Sequence, residues 1–139
     1  MKKITKLIIP FSTIVLILIV LSWLWVFKQA DDSVKNQKAA FDVEASNIIT
    51  EFENDENLAN QNYLGKVIIV SGILESVKES ENDYSLYLKN SDDMSGVLCS
   101  FNKSAIDTTK LEVGQKVRIK GICTGYLIDV VLNKCVLVN

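Results

Sequence analysis

Few residues in this chain can do chemistry, and their types exclude most catalytic mechanisms. The sequence contains no histidine, which removes the commonest general base and the commonest metal ligand. A Ser-His or Cys-His nucleophile pair is therefore impossible. The 17 acidic residues are spread along the chain, so paired carboxylates carry no specific signal. We predict that the protein is not an enzyme, has no catalytic residues and uses no cofactor.

The three cysteines, Cys99, Cys123 and Cys135, are the other reactive side chains. Their spacing lacks the close pairs that zinc sites use, so no metal site is predicted. In an oxidising compartment, Cys123 and Cys135 are the candidates for a disulfide across the last two strands. That bond requires a bulge or a wide loop, because a tight turn between the two strands would place Cys123 nearer Val130.

The segment Leu7–Phe27 carries no charge and is flanked by lysines. As a helix it would span roughly 31 Å, the thickness of the hydrocarbon core of a bilayer. Its apolar centre is longer than that of a signal peptide, and it ends in tryptophans rather than in a small-residue cleavage site. We predict an uncleaved transmembrane helix at 7–27, with a cleaved signal as the alternative. The lysines of the basic flank at 1–6 favour a cytoplasmic N-terminus, with the rest of the chain outside.

After a polar linker at 28–38, residues 39–139 have the length of one small domain. From Ala39 onward, nine basic residues face 15 acidic ones, a net charge of −6, and a field of that sign repels nucleic acid. Apolar residues at three- and four-residue steps predict an amphipathic helix over 39–52, followed by a polar break at 53–57. This helix packs on the domain's own sheet or, in the alternative, on a partner protein. The apolar positions are Phe41, Ala45, Ile48, Ile49 and Phe52.

Five segments with the period of β-strands follow, separated by turn signals. Gly72 lies inside the first of them and predicts a bend that lets this strand serve two sheet edges. A connector at 102–111 follows the third strand. The pattern predicts a mainly β domain that closes into a small barrel. The strands are predicted at 66–77, 84–89, 96–101, 116–121 and 127–132, with a resumption at 135–138.

Four motifs together resemble the tRNA-anti-like group of bacterial OB-fold proteins. They are Tyr63-x-Gly65-Lys66-Val67 leading to Val70-Ser71-Gly72, then Val97-x-Cys99-x-Phe101, then Leu111-x-x-Gly114-x-x-Val117-x-Ile119-x-Gly121, and Cys123-x-Gly125 continuing to Asp129-Val130-x-Leu132-x-x-Cys135. The resemblance covers about Phe41 to Val138. It implies a five-stranded OB-fold barrel, preceded here by the amphipathic helix and the membrane helix. It implies no demonstrated activity. It also places the third strand beside the fifth, where Cys99 would compete for Cys135.

OB-folds bind nucleic acid through a basic groove and aromatic platforms on the second and third strands. Tyr84 and Phe101 share their phase with apolar neighbours and are predicted to pack in the core. Tyr87 lies on the polar face and is the aromatic candidate for ligand binding. Three cations at alternate positions form one stripe on the fourth strand, which is either a second ligand-binding candidate or an ordinary solvated face. The basic stripe consists of Lys116, Arg118 and Lys120.

These observations predict a membrane-anchored, extracytoplasmic OB-fold module for binding or scaffolding. Its expected partners are the membrane, through Leu7–Phe27, and a protein, peptide or glycan. Nucleic acid is disfavoured by the acidic balance. The alternatives are an OB-fold that binds nucleic acid on the cytoplasmic side, or an accessory subunit of a membrane complex.

Overall fold

The computed structural model describes residues 15–22, 34–90 and 92–139. The chain divides into two compact units, residues 1–33 and 34–139. In the first unit, residues 15–22 form a helix whose side chains are exposed. Most of the predicted span Leu7–Phe27 lies outside the described residues. Among those that are described, no helix is long and apolar enough to cross a membrane, so the anchor stays a prediction.

The second unit is a closed β-barrel carrying two helices. The elements are β1 (Phe41–Glu44), α1 (Ala45–Asn54), α2 (Glu56–Tyr63), β2 (Val67–Glu79), β3 (Asp83–Leu88), β4 (Val97–Asn102), β5 (Lys116–Tyr126) and β6 (Val130–Val138), with 3-10 turns at Lys103–Ala105 and Thr108–Lys110. Within the barrel, each of five strands hydrogen-bonds to two others in the order β2-β3-β4-β6-β5, and β5 returns to β2 to close the barrel. The β4–β6 contact is parallel, and the other contacts within the barrel are antiparallel. This is the OB-fold arrangement that the sequence predicted.

The long strand β2 bends and serves two sheet edges, as predicted from Gly72. It pairs with β5 from Val67 to Ile73 and with β3 from Leu74 onward, with an irregularity between Leu74 and Ser76. Gly72 is also needed for helix packing, because a Cβ placed there would lie 3.0 Å from the Cβ of Ala45. The absence of a side chain at Gly72 therefore lets α1 approach the barrel.

The predicted helix over 39–52 is wrong at its start. Phe41–Glu44 forms the strand β1 instead, which pairs in parallel with Ile68–Ser71 of β2. The physical reason is that the backbone of β2 needs a partner along this edge before β3 takes it over at Leu74. The helix begins at Ala45 and buries the predicted stripe from that residue onward. Its buried side chains are Ala45, Ile48, Ile49 and Phe52.

Other boundaries also differ from prediction. The break after α1 is one residue, Asp55, whose carboxylate accepts from the Leu58 backbone N–H at 3.0 Å and so caps α2. Strand β5 continues through Cys123 and Gly125 to Tyr126. The last strand consequently begins at Val130 rather than Leu127. Gly125, at φ +131°, allows the irregular pairing that carries β5 past the predicted turn.

The barrel core is built from inward-facing aliphatic residues of all five strands, closed at one side by α1. Phe101 on β4 is fully buried, as predicted, and Tyr84 packs half-buried against the core. The ring of Phe52 stacks on Tyr126 with centroids 5.4 Å apart. The helix face therefore covers the barrel of its own chain, which confirms the first of the two roles predicted for it.

Candidate ligand-binding face

Tyr87, on β3, is fixed by two partners from other parts of the chain. Its hydroxyl donates to Oδ1 of Asp129 at 2.7 Å, and the backbone N–H of Gly96 donates to the same oxygen at 2.8 Å. Asp129 lies in the β5–β6 loop and Gly96 directly before β4. One carboxylate oxygen thus ties three segments together.

This arrangement requires glycine at position 96, because the Tyr87 ring closely approaches the backbone there. A Cβ at position 96 would lie 2.5 Å from Cζ of Tyr87, far inside any normal contact. The tyrosine ring therefore lies directly against the Gly96 backbone, and its hydroxyl reaches Asp129 from that position. Any larger residue at 96 would push the ring away from the carboxylate.

The Tyr87 hydroxyl is a permanent hydrogen-bond donor at ordinary pH. Burial raises the pKa of Tyr87 to about 12, and the hydrogen bond to Asp129 and the nearby charges of Asp129 and Glu75 act in the same direction. A phenol with so high a pKa stays protonated, so it serves to fix geometry and not as a general base.

A depression of about 260 Å³ lies beside the Tyr87 ring. We call it the Tyr87 trough. The strand register explains it, because the small Ser76 lies opposite Tyr87 and Ser85 lies opposite Lys78. Small side chains between larger ones leave a hollow on the outer face of β2, β3 and β4. The lining residues are Ser76, Lys78, Ser85, Tyr87, Leu98 and Asp129.

The basic stripe is a separate surface, and each of its cations contacts the N-terminal part of the unit, between residues 35 and 44. Lys116 Nζ lies 2.7 Å from Oε1 of Glu44, and Arg118 Nη2 lies 2.6 Å from Oδ2 of Asp42. Lys120 Nζ donates to the backbone carbonyls of residues 35 and 37. Since β1 and β5 flank β2, the two ion pairs cross over β2.

The structure therefore does not bring the predicted ligand-binding residues into one site. The stripe residues of β5 lie opposite Ile69–Ile73 in the first half of β2, whereas Tyr87 of β3 lies opposite Ser76 in the second half. No stripe residue lines the trough. The two predicted candidate surfaces are therefore separate, and the one at Tyr87 lies beside a hollow.

Comparisons with known proteins agree with this architecture. A family model described as tRNA_anti-like matches residues 1–137. The chain belongs to the tRNA_anti-like family. This confirms the resemblance predicted from the four motifs. No curated protein matches the sequence.

Three solved structures are among those that match the chain. A proposed nucleic acid-binding lipoprotein from Klebsiella pneumoniae has a TM-score of 0.59 at 16% identity, covering 78% of this chain and 98% of its own. The yeast Stn1 and Ten1 structure gives a TM-score of 0.45 at 15% identity, with 80% and 69% covered. An OBody bound to hen egg-white lysozyme gives 0.42 at 13% identity, with 56% and 86% covered. At such identities the first of these likenesses shows the fold alone.

The three cysteines of this family member are buried and free. Cys99 on β4 makes a side-chain hydrogen bond with Cys135 on β6, and burial raises its pKa well above that of an ordinary thiol. Cys123 lies opposite Leu132, while the sulfur of Cys135 lies against Gly121. The thiol that contacts Cys135 is thus that of Cys99, which was predicted to compete for this residue. The Cys123–Cys135 disulfide stays a prediction.

Sequence reasoning missed the residues that fix Tyr87 and those that pair with the stripe. Asp129 was noted only within a family motif, and Gly96 only as the first residue of a strand. Asp42 and Glu44 fall within the segment 39–52 that was predicted to be an amphipathic helix. The available signal was their alternation with Phe41 and Val43, which is the period of a strand.

Proposed function

We propose that this protein is a membrane-anchored, extracytoplasmic binding module that holds an uncharged, hydroxyl-rich ligand, a glycan, in the Tyr87 trough. It performs no catalysis. The single observation that carries the proposal is the composition of the trough, which surrounds one aromatic ring with two serine hydroxyls, one ammonium group and one carboxylate.

The chemistry of the trough favours a sugar. A pyranose offers an apolar C–H face to an aromatic ring and hydroxyls to nearby donors and acceptors, and a few placed polar groups are enough to orient such a ligand. OB-folds bind oligosaccharides as well as oligonucleotides on this face. Lys78 and Asp129 carry opposite charges, so the trough does not select for a polyanion.

Charge argues against nucleic acid as the ligand. Binding to a phosphate backbone depends on cations that are available to neutralise it. The cations of the basic stripe contact the carboxylates of Asp42 and Glu44 or backbone carbonyls. The Klebsiella protein carries nucleic-acid binding as its proposed activity, and that activity is the alternative tested below.

The sequence supports the anchor. Leu7–Phe27 has no charged residue, and the helix at residues 15–22 exposes aliphatic side chains such as Leu16, 65% exposed, and Leu18, 59% exposed. Such a helix is stabilised when lipid covers it. The lysines before the segment favour a cytoplasmic N-terminus.

The test uses the full chain in lipid nanodiscs against two panels, neutral oligosaccharides and single-stranded oligonucleotides at low salt. We expect glycan binding that Tyr87→Ala abolishes and Arg118→Ala leaves unchanged. Salt-dependent oligonucleotide binding that Arg118→Ala weakens would overturn the proposal in favour of the alternative. Protease treatment of intact spheroplasts expressing a C-terminally tagged chain tests location, because an extracytoplasmic barrel loses its tag before lysis.

A further inference from the structure

The tip of the β5–β6 loop presents two large aliphatic side chains to solvent. Leu127 is 90% exposed and Ile128 is 76% exposed. Single exposed aliphatic residues are ordinary on protein surfaces, but a contiguous apolar projection marks an interaction site. Leu127 and Ile128 are adjacent and lie at the outermost point of a strand connection.

The base of this loop is held firmly, so the exposure of the tip is built into the fold. The Leu127 N–H donates to the carbonyl of Asp129 at 3.3 Å, and the Val130 N–H donates to the carbonyl of Gly96 at 3.0 Å. The Asp129 side chain turns back toward Tyr87 and Gly96. The one charge of the loop is thereby withdrawn from the tip.

The apolar surface continues from the tip onto the end of α2. Leu64 is 50% exposed, and its Cδ1 would lie 3.7 Å from a Cβ at Gly125. An open groove of about 500 Å³ lies between Leu64 and Leu127, and no charged residue lines it. Leu64, Leu127 and Ile128 together form what we call the apolar tip.

We propose that the apolar tip inserts into the interfacial region of a lipid bilayer. This inference rests on the proposed membrane anchor. Only residues 28–33 separate Phe27 from the barrel unit, which begins at Val34, and six extended residues reach at most about 20 Å. A barrel on so short a tether stays beside the membrane surface. A convex tip of aliphatic side chains is suited to the soft boundary between headgroups and acyl chains.

The test places a tryptophan at the tip of the full chain and measures its contact with lipid. The two native tryptophans, Trp23 and Trp25, are first changed to phenylalanine, and Leu127→Trp is added. The chain is reconstituted in phosphatidylcholine vesicles with a minority of phosphatidylglycerol, with and without bromine on the acyl chains. Val113→Trp is the matched control, because Val113 is 69% exposed and precedes the opposite end of β5.

We expect brominated lipid to reduce the emission of Leu127→Trp at least about twofold, as for a side chain at the headgroup boundary, and to leave Val113→Trp unchanged. Equal quenching of the two variants by brominated lipid would overturn the inference. A blue shift of the Leu127→Trp emission without quenching would also overturn it, because that result indicates burial of the tryptophan in a second protein copy. The unsubstituted chain separates the two proposals. Quenched native tryptophans with an unquenched tip refute insertion of the tip alone, whereas unquenched native tryptophans refute the anchor as well.

Discussion

Arg118 on β5 and Asp42 on β1 form an ion pair across β2, with Nη2 and Oδ2 2.6 Å apart. In the proposed function, this pair is the reason that the basic stripe does not bind nucleic acid. Glu44 forms a second ion pair with Lys116, with Oε1 and Nζ 2.7 Å apart. The short strand β1 therefore brings two carboxylates to the surface on which β5 presents the basic stripe.

Removing these two carboxylates should leave the cations of the basic stripe available to a polyanion. We expect Asp42→Asn with Glu44→Gln to bind single-stranded oligonucleotides at low salt, with an affinity that falls steeply as salt rises. The ion pairs are about half exposed, with side chains 41% to 58% exposed, so their loss should lower the free energy of unfolding by less than about 1 kcal/mol each. Fluorescence anisotropy of a labelled oligonucleotide measures the gain.

The matched control removes the same two charges elsewhere. Glu81→Gln with Glu112→Gln changes the net charge equally at exposed positions outside β1. If this control binds oligonucleotide as well as the β1 variant does, the gain reflects net charge and not the release of the stripe.

Asp129→Ala should destabilise the barrel through the loss of one acceptor that serves two donors. The Tyr87 hydroxyl and the Gly96 N–H would each lose their bond in a partly buried setting, at a cost of about 1–3 kcal/mol in the free energy of unfolding. Urea unfolding followed by near-ultraviolet circular dichroism measures it. Glu112→Ala, at an exposed position, is the control, and an equal effect of the two substitutions would contradict this role of Asp129.

Gly96→Ala should destabilise the barrel only while Tyr87 is present. The new Cβ would collide with the tyrosine ring, whose Cζ lies 2.5 Å from that position, and overpacking of this kind costs about 1–3 kcal/mol. In a Tyr87→Ala background the collision partner is gone, so the same substitution should cost much less. A double-mutant cycle in urea measures this coupling. Additive effects would show that the position of the Tyr87 ring does not require glycine at 96.

The outline of the fold was predictable because it rests on local signals. Three such signals are the two-residue period after Gly65, the glycine inside β2 and the turn residues between the strands, and each of them involves only a few neighbouring residues. Strand β1 was not predictable in the same way. Phe41 and Ala45 are four residues apart and fit a helical stripe, whereas Phe41 and Val43 alternate with Asp42 and Glu44 as they would in a strand. Pairing with β2, distant in sequence, decides between the two.

The candidate site was predictable only in part, for the same physical reason. The alternation of β3 is enough to place Tyr87 on the outer face. Its partner Asp129 lies 42 residues away, and Gly96 lies 33 residues from Asp129. Both depend on barrel closure, which a single sequence does not specify residue by residue. The cations of the stripe were visible, but the carboxylates opposite them belonged to the strand that was missed.

Two tyrosines should titrate late and make the barrel sensitive to alkali. Burial, with a hydrogen bond to a carboxylate, raises the pKa of Tyr87 to about 12 and that of Tyr63, whose hydroxyl donates to Glu51 at 2.7 Å, to about 12, from a usual value of 10.0. The unfolded chain releases these protons first, so between about pH 10 and 12 it binds fewer protons than the folded chain. The contribution of each group to the free energy of unfolding should therefore be fully present and independent of pH below about pH 10, and should be lost as the pH rises to 12.

Ultraviolet titration at the tyrosinate band checks this directly. Tyr63→Phe and Tyr87→Phe should each remove one late step, and the double variant should remove both. The same variants should flatten the alkaline fall in the urea midpoint, because the proton linkage disappears with the hydroxyl. A Tyr87→Phe chain whose late absorbance change equals that of the native protein would show that the Tyr87 hydroxyl is not held by Asp129 in solution.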